Sequence, residues 1–397
     1  MPTNYLAPGV YVEEVSGGAR PIEAVGTSTA GFVGTSPDPK AHLGEAIAIN
    51  NWSQFLREFA PDHVEKRLAS TPLSHAVFGF FMNGGQRCYV VNVGAGGSLE
   101  GDGSGRSGLG LLEEIDEIAI VAAPGYADAN AYDALLTHCE AMLDRVAILD
   151  PPQNSVTVEA LTEVAVAGGD GGGLRPRQSD RGYGAFYFPW IVVRDPLPPN
   201  ELVAIPPSGH MAGIWARTDA TRGVHKAPAN ESVRGALNLT YNLTRAEVAL
   251  LNPASVNCIR FFPREGIRVW GARTLAASAS EWRYLNVRRL FNMIEESIAD
   301  NTRWIVFEPN DFTLWKSIRR DITAFLTGLW RNGALMGRTP QEAFFVKCDE
   351  ETNTQDDIDA GRVITLIGIA PVKPAEFIVF RISQHRGGAE VETEGGE

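Results

Sequence analysis

The chain has 397 residues, with 35 Lys and Arg against 48 Asp and Glu, a net charge of −13. Apolar residues make up 44% and charged residues 21%, so the length suits roughly two to three globular domains and excludes wholesale disorder. The acidic balance speaks against a general nucleic-acid binder, and no apolar run reaches the roughly 20 residues that a membrane-crossing helix needs.

In chain order, the first segment reads as extended. Pro8-Gly9 leads into Val10-Tyr11-Val12-Glu13-Glu14-Val15, a β-branched and aromatic run that predicts a strand. Met1–Tyr5 carry neither the charged nor the apolar region of a secretory signal, so the expectation is folding in the cytoplasm. Thr29–Gly34 predicts a short strand. Asn51 opens a short helix with Trp52, Phe55, Leu56 and Phe59 on one face. A second helix runs from about Pro72 to Met82, and Asn83-Gly84-Gly85 ends it. Cys88–Val93 predicts a buried strand. The glycine-rich stretch 94–110 reads as a linker.

An α/β unit follows. Ile118–Gly125 and Arg145–Pro151 predict buried strands around an amphipathic helix at Asp128–Leu143, which implies a parallel sheet. After a second glycine-rich loop at Gly168–Gly173, Tyr183–Val193 predicts one aromatic strand, and Ser208–Arg217 a turn into a short helix. From about Asn257 aromatics and arginines concentrate. Between Arg264 and Arg338 there are twelve basic and eight acidic side chains, so the remainder carries −17. Helices are predicted over Ala276–Ala299 and Asp311–Arg331, and strands over Phe344–Cys348, Arg362–Ile369 and Ala375–Ser383. Residues 386–397 are Gly- and Glu-rich and read as a disordered tail.

Signals for chemistry are weak. Gly103–Gly108 spells G-x-G-x-x-G, but it lies about ten residues beyond the nearest predicted strand, where a dinucleotide loop must close a strand directly. There is no Gly-Lys of a phosphate-binding loop, no His-Glu-x-x-His and no G-x-S-x-G. Ser208 with His210 nearby suggests a hydrolase site only if a carboxylate converges on them, and Pro206-Pro207-Ser208-Gly209 reads more simply as a turn. The acidic run Asp349–Asp359 lacks metal-ligand spacing, and Cys88, Cys139, Cys258 and Cys348 are too scattered for a disulfide framework or zinc site. No catalytic, cofactor-binding or metal residue is expected.

The helix at Asp311–Arg331 is the sharpest physical feature. At about 100° per residue, Trp315, Ile318, Ile322, Phe325, Leu326 and Leu329 share one face. Lys316, Arg319, Arg320 and Arg331 lie opposite, with Thr323 and Thr327 between them. Such a face is either a solvated surface or, in an acidic protein, a dock for an acidic partner. The two chain ends are the second feature. Each carries a strong strand former set off by Pro and Gly, and a strand on an arm needs an edge, at home or on a neighbour. Head-to-tail exchange of arms builds rings or open helices.

Several stretches together resemble the contractile tail sheath family of myophages, R-type bacteriocins and extracellular contractile injection systems. They are Pro8–Glu14, Ala30–Gly34, Phe80–Val93, Pro207–Asn230, Asn257–Leu275, Trp282–Arg289, Phe307–Asn310 and Pro374–Phe377. The resemblance implies a multidomain α/β and α+β fold. Residues 1–20 would be an N-terminal arm strand, 21–98 the N-terminal part of the inner sheath region, and 99–180 a variable outer insertion with the Gly-rich linker and the start of the α/β unit. Residues 181–275 would complete a subtilisin-like α/β middle domain without a catalytic triad. Residues 276–385 would be an α+β C-terminal domain ending in an arm strand, and 386–397 the tail. The resemblance further implies that Val10, Tyr11, Val12 and Val15, and Phe377, Ile378, Val379 and Phe380, are intersubunit arm strands. Lys316, Arg319 and Arg320 would face an inner tube. The implied role is a structural one, without enzymatic activity, cofactor or metal. The implied partners are further copies of the chain in stacked hexameric rings, the tube protein, and baseplate and terminator or cap proteins. No nucleic acid and no membrane insertion are implied. Assembly would occur in the bacterial cytoplasm, and the product would be a virion or an extracellular particle. A type VI secretion sheath divides the family's sequence over two chains, whereas this chain carries both halves. A subtilisin-like hydrolase is the remaining alternative.

Overall fold

A computed structural model describes residues 21–100, 106–154, 156–168 and 172–379. The arm residues Val10, Tyr11, Val12, Val15 and Phe380, and the tail at 386–397, lie outside the described residues.

The chain opens with β1 (Ala30–Gly34) and β2 (Ala46–Ile49), then α1 (Trp52–Phe59) and α2 (Pro72–Asn83). Asn51 caps α1 through the Gln54 N–H. Thr71 and Ser74 cap α2 reciprocally, with Pro72 at the first turn. Gly84, at φ +115°, ends α2 where a side chain would be strained. Next come β3 (Cys88–Asn92), β4 (Ile120–Ala122), α3 (Ala129–Met142), β5 (Val146–Leu149) and β6 (Gly184–Phe188). They are followed by β7 (Ile191–Arg194), β8 (Leu202–Ile205), α4 (Ser208–Arg222), β9 (Asn238–Leu239), α5 (Arg245–Leu251), β10 (Val256–Phe262) and β11 (Gly266–Trp270).

One eight-stranded sheet runs in the order β11-β10-β6-β5-β4-β1-β3-β2. Its six inner strands pair in parallel, with Ala30 opposite Cys88 and Ala147 opposite Gly184, and the edge strands β2 and β11 are antiparallel. Successive side chains of an inner strand enter different cores. Phe32 and Ile148 meet α2 and α4, whereas Val33 and Leu149 meet α3. A strand buried on both faces reads as a continuous apolar run, which is how β3 to β5 are written.

α2 and α4 cross closely because small residues line the contact. A Cβ on Gly209 would stand 2.2 Å from Ala76 Cα, and one on Gly213 2.5 Å from the Phe80 carbonyl oxygen. A second, three-stranded sheet, β8-β7-β9, is antiparallel.

The C-terminal part holds α6 (Leu285–Asn301), α7 (Phe312–Arg331), α8 (Pro340–Ala343), β12 (Phe344–Lys347), α9 (Gln355–Asp359) and β13 (Leu366–Ile369). Its own core gathers Leu290, Ile294, Leu314, Ile318, Ile322, Leu326 and Phe344. β12 and β13 form a two-stranded antiparallel sheet.

Four expectations are corrected. Tyr183–Val193 is two strands in two sheets, because Pro189 cannot donate to a ladder. The helix expected from Ala276 starts at Leu285, after a turn in which Ser280 accepts from the Trp282 N–H. Ser208–Arg217, expected as a turn into a short helix, is helical from Ser208, and α4 runs on to Arg222. The strand expected at Ala375–Ser383 makes no ladder over its described residues, 375–379.

Candidate functional site

Ser208 stands at the first turn of α4 and is wholly buried, as is Asp150 just beyond β5. The Ser208 hydroxyl donates to Asp150 Oδ2 at 2.5 Å, and its N–H to Oδ1 at 2.8 Å. Burial pushes the Asp150 carboxyl up to about 7, and the hydrogen bonds from Ser208 and from the Gly125 N–H only partly offset it. His210, two residues along α4, turns away. Its ring lies where a Cβ of Gly79 would stand, and burial lowers its pKa to about 3. His75 pairs instead with Asp195 at 3.5 Å. Among the described residues no histidine hydrogen-bonds Ser208 or Asp150. The serine and carboxyl that a hydrolase reading needs are thus together, but sealed from solvent and without the imidazole that would take the hydroxyl proton.

A cleft of about 450 Å³ is lined by His75, Asp195 and His210 with Phe78, Met82 and Leu237. Burial lowers the pKa of both imidazoles, against the pull of the Asp195 carboxylate in the case of His75. No group of three His, Cys, Asp or Glu among the described residues can hold a metal ion. The acidic run Asp349–Asp359 is used locally. Asp349 accepts from the Glu351 and Thr352 N–H groups, and Thr354 with Asp357 forms the capping box of α9.

α7 presents the predicted two faces. Trp315, Ile318, Ile322 and Leu326 are buried, with Leu314 added to them, and Phe325 and Leu329 are half-buried. Lys316 and Arg320 are exposed, Arg319 is half-buried and Arg331 is exposed. Arg320 Nε bonds Asp321 Oδ1 at 2.9 Å. Phe312, one turn before Lys316, is 62% exposed and extends this face with an aromatic ring, which the face assignment from sequence missed.

The β12–β13 sheet has free edges among the described residues and exposes Phe345 and Leu366. Further on, Phe377, Ile378 and Val379 are 74–77% exposed, with no ladder partner among the described residues. Over its described residues, 375–379, the strand-forming segment pairs with no described strand of this chain.

The phage tail sheath protein central domain family matches residues 109–275, and the phage tail sheath C-terminal domain family matches residues 277–385. The sheath of the extracellular contractile injection system PVC, solved in the contracted state, is 30% identical with a TM-score of 0.75, over 96% of this chain and 99% of that one. A chain of the anti-feeding prophage baseplate, solved with six-fold symmetrisation, is 32% identical with a TM-score of 0.72, over 96% of this chain and 100% of that one. The tail sheath protein of Vibrio phage KVP40 is 30% identical over 177 residues, 44% of this chain and 26% of its own. The chain spans 26% to 64% of the length of the curated relatives KVP40, Salmonella phage ViI and a Pseudomonas aeruginosa prophage sheath. With both domain families matched in order and a near-complete match at 30% identity to a solved sheath, the chain belongs to the contractile tail sheath family.

Proposed function

We propose that this protein is the structural subunit of a contractile sheath. Copies polymerise as stacked rings around an inner tube, and contraction drives the tube through a target envelope. The observation that carries this reading is the match over 96% of the chain to a sheath captured in its contracted state. The six-fold symmetrised baseplate of the anti-feeding prophage supports six copies per ring and a baseplate at one end. Terminator or cap proteins would close the other.

The chain divides into a sheet unit up to residue 275 and a C-terminal unit from 276, which agrees with the junction between the two matched families. A subtilisin-like topology for the sheet unit is supported by its parallel strands and by the buried serine at the start of α4. The role is structural, and the buried Ser208–Asp150 pair, which no imidazole among the described residues reaches, supports this. The arms, Val10, Tyr11, Val12 and Val15 at one end and Phe377 to Phe380 at the other, add strands to a neighbour's β12–β13 sheet. The free edges and exposed apolar residues of that sheet support this. The basic face of α7, through Lys316, Arg319 and Arg320, meets an acidic inner tube. Assembly takes place in the bacterial cytoplasm, and the finished object is a virion or an extracellular particle. No described helix is long and apolar enough to cross a membrane.

In the extended form the polymer would be a kinetically trapped state of higher energy. A trigger at the baseplate lets one ring repack, subunits rotate as rigid bodies and the arms act as hinges. Electron microscopy of the purified protein tests the reading. The full chain is expected to form long cogwheel tubes, and a chain lacking residues 1–16 to remain a folded monomer. Long tubes from the shortened chain would overturn the role of the N-terminal arm, and their absence from the full chain under all assembly conditions would overturn the sheath reading.

A further inference from the structure

The C-terminal segment crosses from one unit to the other before it leaves the protein. After β13 it stays with the C-terminal unit. The Ala370 N–H bonds the Ala343 carbonyl at 2.8 Å, the Met336 N–H bonds the Ala370 carbonyl at 2.7 Å, and the Val372 N–H bonds the Ala334 carbonyl at 3.3 Å. Four residues later it lands on the sheet unit. Arg273, three residues past β11, holds Glu376 with two parallel bonds, Nε to Oε1 at 2.9 Å and Nη2 to Oε2 at 2.8 Å. Asn252, just past α5, donates to Oε1 at 2.8 Å, and the Tyr284 hydroxyl to Oε2 at 3.2 Å. Arg273 is 7% exposed and its remaining nitrogen Nη1 donates to the Asn252 carbonyl, so the guanidinium is fixed before the carboxylate arrives. Pro371 and Pro374 stiffen the span between the two attachments. Directly after Glu376 come the exposed Phe377, Ile378 and Val379.

Four charge-assisted hydrogen bonds on one carboxylate are more than a surface loop needs, and they sit at the last residue before the free strand. We infer that Glu376 is the positioning residue of the C-terminal arm: its clamp on Arg273 fixes the arm's point of departure to the sheet unit and presents the segment from Phe377 onward to a second copy of this chain. The inference rests on the arm reading above. Its physical effect is preorganisation. A strand that leaves a fixed point in a fixed direction loses less freedom when it pairs than one hanging from a loose tether. The clamp ties the arm mainly to the sheet unit, through Arg273 and Asn252, with the Tyr284 hydroxyl of the C-terminal unit as its fourth contact.

The test uses the full chain with Glu376→Ala and Glu376→Gln, beside a truncation after residue 376. Glu376→Ala leaves the 7% exposed Arg273 without its anion, so its unfolding midpoint is expected to fall, and cutting is compared far below that midpoint, where only local opening exposes the segment. In dilute, unassembled protein, chymotrypsin needs a locally open segment to cut after Phe377. Release of the fragment 378–397, followed by mass spectrometry, is expected to rise roughly tenfold in Glu376→Ala and less in Glu376→Gln. Tube yield is expected to fall in the same order. If Glu376→Ala is cut and assembles like the parent while the truncation abolishes tubes, the clamp is wrong and the arm reading stands. If the truncation still forms tubes, the arm reading fails, and the rate of cutting alone decides the clamp.

Discussion

Asp150 shows how one side chain can carry a trace of chemistry and a structural task. Its carboxyl sits against the N-terminus of α4, where the Ser208 N–H and hydroxyl and the Gly125 N–H converge on it. Burial dominates and raises its pKa to about 7, against about 3.9 in an unfolded chain. For a group raised on folding, the stabilising contribution is fully present below the unfolded value and is lost as the pH rises through the folded one. Between pH 4 and 7 Asp150 therefore makes the fold less stable with each unit of pH. Asp150→Asn keeps acceptor and shape and removes the titration. Guanidinium unfolding at pH 5 and pH 8 is expected to show the parent losing about 1–3 kcal/mol relative to the variant. Parallel behaviour of the two proteins would refute it. His210, lowered to about 3 by burial, pulls the other way below its unfolded pKa near 6.5, and the comparison of two proteins that both contain it cancels its effect. The sequence placed Ser208 in a turn beside a histidine. It could not show that Asp150, 58 positions away, is the partner, because the contact is made only when β5 and α4 pack.

At the scale of the element, local signals read well where they are self-contained. α1, α2 and α7 begin at Asn51, Thr71 and Asp311 as their caps demand, and the apolar period of α7 assigned its buried face. The opposite face is a claim about a partner. Lys316→Glu with Arg319→Glu alters two side chains that lie outside the core, so the fold is expected to change by no more than about 0.5 kcal/mol. Assembly around a tube is expected to fail, measured as tube-filled sheaths per particle in electron micrographs. Normal yield would sink the docking reading. Arg320 is left out of this variant because its bond to Asp321, a 7% exposed carboxylate, mixes binding with stability. Failures occurred where an element's limits depend on distant partners. β6 and β7 look like one aromatic strand, but on either side of Pro189 β6 pairs with β5 and β10 and β7 with β8 and β9. Ser208–Arg217 reads as a turn into a short helix, whereas α4 is helical from Ser208 to Arg222, because its small-residue face on α2 lacks the apolar period that marks a helix.

At the scale of the whole molecule, the sheet unit and the C-terminal unit are joined by a buried ion pair. Arg289 of α6 grips Asp219 of α4 through two bonds of 2.6 and 3.0 Å, and the side chains are 3% and 6% exposed. Thr27 adds its hydroxyl to Asp219 and its carbonyl to Arg289, and the guanidinium lies 4.8 Å from the centre of the Trp215 ring. Arg289→Ala leaves a carboxylate buried without its cation, which costs about 3–5 kcal/mol. A lowered unfolding midpoint in denaturant checks this, and a midpoint within 1 kcal/mol of the parent would show that the units are held together by their apolar contact alone.

Composition, element caps and hydrophobic period were enough to establish a large acidic α/β protein with a parallel sheet, a basic helix near the C-terminus and strand formers at the ends. These are properties of neighbouring residues, and local physics decides them. The tertiary structure alone decided that segments 30–34 to 266–270 build one sheet, that the serine and carboxyl meet without a base, and that Arg273 waits for Glu376 across 103 positions. Those contacts join residues whose separation along the chain carries no periodic signal, so they become visible only once burial has brought their elements together.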